Sequence, residues 1–283
     1  MNKKIVLFIG FLFCLPILVL AHQPRIMESN DVIVPDPEIS KAYYAKLNGE
    51  PQFYSIKSEV PFDLYVNILV PDIKDQKTDV VAYILKINET SNQIIKVLDG
   101  TDFKWTKFFE PFGYDHYLMG PEYKAKVEAG EYEVQVTSLK NDSKYSLAIG
   151  EIENFNVKES INAINLIPKI KRDFFAESPI NFILSFFGWG YILLMYIFSF
   201  IIGFIYRLVM KKLAATSIYG VGRNINTKDR IIRAVLGLII LILSITTTWN
   251  PILLFISGFC FFEAIFSWCG LYAALGKNSC PIE

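Results

Sequence analysis

The C-terminal part of this chain contains more continuous apolar sequence than a soluble fold usually buries. Three stretches with few charges follow one another: residues 180–206, residues 231–247 and residues 252–275. Each is close to or above the ~17–25 residues that a helix needs to cross the hydrocarbon layer of a bilayer. The sequence therefore predicts an α-helical membrane domain of three transmembrane helices, in a multi-pass protein of the cell membrane.

The cations of this region are concentrated around one loop, which predicts the orientation of the helices. The loop 207–230 and the residues just after it contain Arg207, Lys211, Lys212, Arg223, Lys228, Arg230 and Arg233. The connection between the second and the third stretch, residues 248–251, contains no charge. Because Lys and Arg accumulate in cytoplasmic loops, we predict that loop 207–230 and the C-terminus are cytoplasmic.

The N-terminus resembles a secretory leader. Lys3 and Lys4 precede an apolar run, residues 5–20, which is followed by Ala21. A charged start, a short apolar core and a small residue at the cleavage point are the parts of a signal peptide. We predict a signal peptide over residues 1–21; an uncleaved signal anchor is the alternative. This start agrees with an extracytoplasmic location of the segment before the first helix.

The segment between the leader and the first helix has the composition of a separate soluble domain. Residues 22–179 contain 18 Lys and Arg against 25 Asp and Glu, a net charge of −7, and no cysteine. Residues 62–70 and 131–137 alternate between apolar and polar side chains, and turn residues separate such runs. This pattern predicts an all-β, antiparallel extracytoplasmic sandwich over residues 22–155. Its closing hairpin, residues 129–147, resembles the end of pre-peptidase C-terminal β-sandwich modules.

Residues 156–179 are expected to link the two domains. The run from Pro168 to Phe175 mixes cations with aromatic residues. Such a mixture is typical of a segment at a membrane interface. An ordinary solvated connector has the same composition, so both interpretations stay open.

Two motifs near the C-terminus carry a resemblance to a known family. The first motif contains Asn224, Asn226, Asp229, Arg230, Arg233 and Gly237, and the second contains Cys269, Gly270, Leu271, Tyr272, Gly276 and Cys280. Together they resemble the YgaP-like inner-membrane domain, whose members typically read Asn-hydrophobic-Gly and Asp-Arg-x-x-Arg, and later Cys-Pro-Leu-Tyr-x-x-x-Gly-x-x-Thr-Cys. The resemblance covers about residues 224–280. It implies a two-helix transmembrane hairpin, with helices at about 231–247 and 252–275.

The chain departs from that family in three respects. Asn226 replaces a glycine, and Gly270 replaces the proline. The family's best-known arrangement attaches the hairpin to a rhodanese domain, which the chain is not expected to contain. Sulfur-transfer chemistry is therefore not implied.

The charged residues of the first motif have a structural and a functional interpretation. Asp229 near a helix N-terminus complements the helix dipole. Arg230 and Arg233 are one turn apart and can reach lipid phosphates, which fixes the depth of the helix. Anchoring of this kind is the simpler interpretation, and an anion-binding or transport role is the alternative.

Glu263 is the one acid within a predicted span. Twelve residues after Pro251, at ~1.5 Å per residue, it is expected ~18 Å into the membrane. A carboxyl group there should be protonated or paired, and it is a functional-site hypothesis by default. Its simplest role is a hydrogen bond to another helix, for example at Ser199 or Ser244.

Metal and cofactor chemistry is not expected. The histidines, His22 and His116, belong to the acidic domain, whereas Cys269 and Cys280 are predicted near the cytoplasmic face. A zinc site that combines them would need ligands from both sides of the membrane. For the two cysteines, a redox pair or soft-anion site and a simple packing role both stay open.

An aromatic, turn-rich patch is the candidate ligand-binding region of the outer domain. It consists of Trp105, Tyr114, Asp115, His116 and Tyr117. Such side chains suit ligand or protein recognition. They suit the packing of sandwich loops equally well.

These observations rank three classes of function. The leading one is a membrane-anchored extracytoplasmic binding or interaction protein; a small transporter or channel component with an oligomeric hairpin is the alternative, and a cell-surface enzyme is third. An enzyme is not expected, because no catalytic constellation can be assembled around His116. Expected partners are membrane lipids, a second copy of the chain through its helices and an extracytoplasmic ligand or protein, but not nucleic acid.

Overall fold

The computed structural model of the protein describes residues 22–154, 156–213 and 222–280. The predicted signal peptide, residues 1–21, lies outside the described residues. Within them, strands occupy the first half of the chain and helices the second. The order of the two predicted domains is therefore confirmed.

The strands of the N-terminal domain form two stacked sheets. In chain order they are β1 (Gln23–Ile26), β2 (Asp31–Val34), β3 (Lys41–Lys46), β4 (Gln52–Ser58), β5 (Phe62–Pro71), β6 (Val80–Ile87), β7 (Gln93–Asp99), β8 (Thr106–Glu110), β9 (Asp115–Val127), β10 (Gly130–Ser138) and β11 (Lys144–Ile149). The first sheet has the order β1-β3-β11-β5-β9-β8, and the second has the order β2-β4-β10-β6-β7. The predicted β-sandwich is confirmed.

Two pairings differ from the antiparallel prediction. The pairs β1–β3 and β2–β4 are parallel. The chain alternates between the two sheets over these first four strands, so each strand joins the strand two places later. A strand that pairs across such a crossover runs in the same direction as its partner.

The core lies between the sheets, and strand alternation decides which side chains reach it. In β10, Tyr132, Val134 and Val136 are buried while the residues between them are not. Two buried tyrosines on facing sheets form a hydrogen bond, since the hydroxyl groups of Tyr54 and Tyr145 are 2.8 Å apart. A buried polar group that keeps a partner avoids the cost of desolvation.

The linker is folded onto the outer face of the first sheet. It forms α1 (Val157–Lys169), which continues into a π-helical turn (Ile170–Phe174). The side chains of Ile170, Phe174 and Phe175 are buried against the first sheet. The aromatic residues of this segment are therefore buried within the protein, where they cover an apolar surface of the first sheet.

Within residues 156–213 and 222–280, the helical domain contains two membrane-length helices rather than the predicted three. A 3-10 turn (Pro179–Leu184) precedes α2 (Phe186–Leu213), α3 (Thr227–Thr247), α4 (Pro251–Phe266) and the short α5 (Gly270–Ala274). Among the described residues, α2 and α3 are the helices long and apolar enough to cross a membrane. The predicted third span, 252–275, is interrupted after the 16 residues of α4. Ser267 ends that helix in the left-handed conformation, with φ of 53°.

Small residues hold α2 and α3 against α4. A Cβ atom on Gly258 would lie 2.8 Å from Ser199 Oγ, so only glycine permits this approach of α2. Ser199 Oγ donates to the carbonyl of Phe255 at 2.9 Å, and Ser244 Oγ donates to that of Asn250 at 3.5 Å. The predicted hydrogen bond of Glu263 to one of these serines is wrong, because both hydroxyl groups bind backbone.

Candidate functional site

A buried lysine joins the linker to the β-domain. Lys171, in the π-helical turn, is fully buried, and its Nζ lies 2.6 Å from Asp115 Oδ1 and 3.8 Å from Glu177 Oε2. It also donates to the carbonyl of Tyr114 at 3.2 Å, and it lies 5.7 Å from the centre of the Phe175 ring. A buried charge is tolerated only when it is paired and hydrogen-bonded. The pair therefore locks the linker to the loop between β8 and β9.

The last residue of β8, Glu110, provides a second inward-facing carboxylate next to this loop. Glu110 accepts hydrogen bonds from the backbone N–H groups of Phe112 and Gly113, each at 2.7 Å. Burial raises the pKa of Glu110 to about 7, although these two hydrogen bonds oppose the shift. Burial also raises the pKa of Asp115, against the opposing effect of Lys171. The carboxyl groups of Glu110 and Asp115 are therefore both buried and do not contribute to the exposed surface of the loop.

Replacement of Glu110 by glutamine is expected to reduce the pH dependence of stability. Because the folded state raises the pKa from 4.5 to about 7, it binds this proton more tightly than the unfolded chain. The resulting stabilisation of the folded state is complete below the pKa that Glu110 has in the unfolded chain. It is lost as the pH rises through the pKa of about 7 in the folded state. Over this window we expect Glu110→Gln to gain on the order of 3 kcal/mol relative to wild type.

The measurement is thermal unfolding of the full chain in detergent micelles between acid and neutral pH. Glu128→Gln, at an exposed carboxyl group, is the matched control and should follow the wild-type profile. A Glu110→Gln profile parallel to the wild type would show that the proton is not held at this site.

The β8–β9 loop also contacts one end of the helical domain. Phe112 packs against Phe187, in the first turn of α2, with ring centres 4.7 Å apart. Trp249, in the turn between α3 and α4, donates from Nε1 to the carbonyl of Pro179 at 2.9 Å. Arg172 donates to the carbonyl of Thr247 at 2.6 Å. The β-domain, the linker and the turn 248–251 therefore meet at one junction, which we call the outer junction.

The five residues predicted to bind a ligand do not form one surface. Asp115 and Tyr117 are buried beneath the linker. Trp105 is half-buried against the sandwich core, and its Nε1 donates to the carbonyl of Gly100 at 2.9 Å. Tyr114 and His116 remain exposed. Strand periodicity could have separated Tyr117 from His116, since neighbours on a strand point to opposite faces.

A cavity lies between the first sheet and the linker. Its lining includes His22, Tyr44, Glu110 and Asp115, and its volume is about 50 Å³. Sites for small organic ligands usually measure roughly 300–1,000 Å³, so this cavity suits a few water molecules. This cavity is therefore too small for an organic ligand of that size.

At the far end of the helices, Glu263 forms an ion pair that was not predicted from the sequence. Arg233 Nη1 lies 3.1 Å from Glu263 Oε2. The guanidinium group also lies 3.1 Å from Cys269 Sγ and 5.5 Å from the centre of the Tyr272 ring. Arg233 and Glu263 are at nearly equal distances from the turn 248–251, so hairpin geometry would have predicted the pair. Glu263 lies in the last turn of α4, at the far end of the helices.

Asn224 connects the two family motifs. Its Nδ2 donates to the carbonyl of Cys269 at 2.9 Å, and its Oδ1 accepts from the N–H of Cys269 at 2.6 Å. The Oδ1 of Asn226 caps α3 by accepting from the N–H of Asp229 at 2.8 Å, and Asp229 accepts a hydrogen bond from Ser279. We call the group Asn224, Arg233, Glu263, Cys269 and Tyr272 the inner clasp.

The remaining motif residues have ordinary surroundings. Arg230 Nε donates to the carbonyl of Ala264 at 2.8 Å, which ties α3 to the end of α4. Cys260 and Cys269 are buried and Cys280 is half-buried; all three are free thiols. In the described part of the chain, no group of His, Cys, Asp and Glu side chains could hold a metal ion.

Gly270 has contacts that explain its departure from the family motif. Its N–H donates to Glu263 Oε1 at 3.1 Å, and a proline has no N–H to donate. A Cβ atom at this position would overlap the ring of Tyr206, whose hydroxyl donates to the Gly270 carbonyl at 3.2 Å. Tyr206 belongs to α2, outside the region that resembles the family. Glycine at 270 therefore lets α2 pack against the end of the hairpin.

Comparison with known proteins confirms the resemblance of the C-terminal part. Residues 221–283 match the family described as "Inner membrane protein YgaP-like, transmembrane domain". The chain is therefore membrane-anchored through a YgaP-like domain that contains transmembrane-capable helices. No curated protein matches the chain.

Two solved structures each resemble less than half of this chain. One is the pre-peptidase C-terminal domain of a collagenase from Bacillus anthracis, which is 5% identical in sequence and has a TM-score of 0.25. The alignment covers 46% of this chain and 95% of the collagenase domain. The other is a mitogen derived from Yersinia pseudotuberculosis, which is 13% identical in sequence and has a TM-score of 0.27. The alignment covers 42% of this chain and 92% of the mitogen. TM-scores this low carry no argument about function.

Proposed function

We propose that this YgaP-like membrane domain carries a rigidly mounted, outward-facing interaction module. The outer junction is the observation that supports this function best. At this junction Lys171 is buried between the linker and the β-domain. Phe112 of the β-domain and Trp249 of the helical domain belong to one apolar cluster. These contacts hold the β-domain against the helices, so a recognition surface on it keeps one orientation relative to the membrane. This lowers the entropic cost of binding.

The distribution of charge supports an extracytoplasmic β-domain. The outer junction contains the uncharged turn 248–251. The cations Arg207, Lys211 and Lys212 occupy the opposite end of α2 from its contact with Phe112. Since cationic segments stay in the cytoplasm, this asymmetry favours the β-domain on the outside and the C-terminus on the inside.

The open face of the second sheet is the proposed recognition surface. The linker covers the outer face of the first sheet, whereas the second sheet has no such cover among the described residues. On that open face Tyr83 pairs with Val97, and Leu85 pairs with Ile94. Val97 and Ile94 are exposed. Exposed apolar side chains grouped on one sheet face are typical of a protein-binding surface.

The transporter alternative receives less support from the inner clasp. A proton- or ion-carrying Glu263 would need to exchange with solvent. Its carboxylate is instead held by Arg233 and by the N–H of Gly270. This arrangement favours a role in holding the hairpin closed.

The test is photo-cross-linking of the full chain in intact cells. With p-benzoylphenylalanine in place of Tyr83, we expect discrete adducts with a partner on the extracytoplasmic side. Val97→Glu in the same chain should reduce their yield about tenfold or more, because a charge would enter an apolar contact. Val60→Glu is the matched control, since Val60 is an exposed valine at the β4–β5 turn. Adducts that are absent, or that Val97→Glu leaves unchanged, would refute the recognition surface.

A further inference from the structure

The end of the β8–β9 hairpin exposes an aromatic cluster that does not take part in the outer junction. Phe109 and Tyr114 are 43% and 37% exposed, and their ring centres are 5.1 Å apart. The ring of His116 lies 5.0 Å from that of Phe109 and 6.0 Å from that of Tyr114. Three aromatic rings in mutual contact at an exposed hairpin end form a surface that water solvates poorly.

The position of this loop relates the cluster to the membrane. Phe112 lies between Phe109 and Tyr114 in the chain and packs against Phe187, in the first turn of α2. In that same part of α2, Phe186 and Trp189 are exposed. Aromatic residues at the end of a membrane-length helix mark the boundary between acyl chains and headgroups. The contact of Phe112 thus brings the cluster close to the end of α2 that carries these aromatic residues.

The acids of the β8–β9 hairpin end are not exposed at this surface. The carboxylate of Glu110 is turned inwards to the loop's own N–H groups, and that of Asp115 is paired with buried Lys171. At the same end of the helices, the exposed cation Arg172 contacts the carbonyl of Thr247. Aromatic rings together with a cation, without an exposed acid from the loop, are the composition of an interfacial anchor.

We propose that Phe109, Tyr114 and His116 form a lipid-contact surface in the headgroup layer of the leaflet on the β-domain side. The β-domain then touches the bilayer directly, in addition to its covalent connection to α2. This contact fixes the tilt of the sandwich over the membrane. It is independent of the recognition surface around Tyr83.

The experiment places a photo-reactive side chain at the proposed contact. The full chain is reconstituted in vesicles of phosphatidylethanolamine and phosphatidylglycerol, with p-benzoylphenylalanine in place of Tyr114, and irradiated. Mass spectrometry of the intact protein should detect lipid adducts. A second variant, with the probe in place of His116, should give the same result if the first fails to assemble.

The control position is Val60, at the other end of the sandwich. Strand β9 runs from Asp115 to Val127, over 13 residues, and at ~3.3 Å per residue this separates the two ends by about 40 Å. Val127 pairs with Phe62, close to Val60. Lipid adducts from positions 114 or 116 but not from 60 are the expected result. Equal adduct formation at all three positions, adducts with a second protein only, or no adducts from assembled protein would overturn the proposal.

Discussion

Replacement of Lys171 by methionine is expected to release the linker from the β-domain. The side chain of Lys171 is 0% exposed, so the variant leaves the carboxylate of Asp115 buried beside an apolar side chain. Removal of one partner from a buried ion pair typically costs about 3–5 kcal/mol. We expect the full chain in detergent micelles to unfold at a lower temperature, and the amides of residues 157–174 to exchange hydrogen much faster.

Two further variants isolate the ion pair. Lys169→Met removes an exposed lysine two residues away, whose nearest acid, Glu28, is 3.6 Å distant and exposed; it should behave like wild type. The double variant Lys171→Met with Asp115→Leu removes both charges and should recover most of the lost stability, because the site becomes apolar. If Lys171→Met matched Lys169→Met in exchange and stability, the outer junction would not depend on this pair.

The second large effect is expected at the inner clasp. Arg233→Met leaves Glu263, whose side chain is 8% exposed, without its cation and removes the contacts to Cys269 and Tyr272. We expect a loss on the order of 3 kcal/mol in the stability of the helical domain. Thermal unfolding in micelles, followed by near-ultraviolet circular dichroism, would measure it. The hydrogen exchange of the β-strands should not change.

Substitutions at Glu263 and Lys228 complete this series. Glu263→Gln keeps an acceptor for Arg233 but removes the charge, so its effect should lie between those of wild type and Arg233→Met. Lys228→Met, at an exposed cation near the start of α3, is the matched control and should be silent. If Glu263→Gln left stability intact but abolished ion flux in reconstituted vesicles, the transporter alternative would replace the anchor interpretation.

Short-range sequence patterns were sufficient to predict most of the strands and helices. The alternation of Tyr132, Val134 and Val136 predicted the buried face of β10, because a period of two depends only on neighbouring residues. The paired motifs predicted the YgaP-like hairpin, which residues 221–283 match. Local pattern did not predict the parallel pairs β1–β3 and β2–β4, which depend on how the chain crosses between the sheets.

The length of the third helix shows where such patterns fail. Residues 252–275 are predominantly apolar, with Glu263 as their one charged residue. Hydropathy is a sum over residues, so it does not detect a turn within such a stretch. The turn at Ser267 is held by long-range contacts, since the Ser267 carbonyl accepts from the N–H of Asn224 at 3.0 Å. Only the folded hairpin brings these two segments together.

The sequence by itself thus determined the β-rich domain, its order before the apolar helices and the family of the hairpin. It also identified Asp115, Arg233 and Glu263 as notable residues, but not what each of them does. The tertiary structure decided that Lys171 is buried against Asp115 and that Arg233 pairs with Glu263. The physical reason is that the free energy of a charged side chain depends on its burial and its partner. Both are set by which faces of distant elements meet.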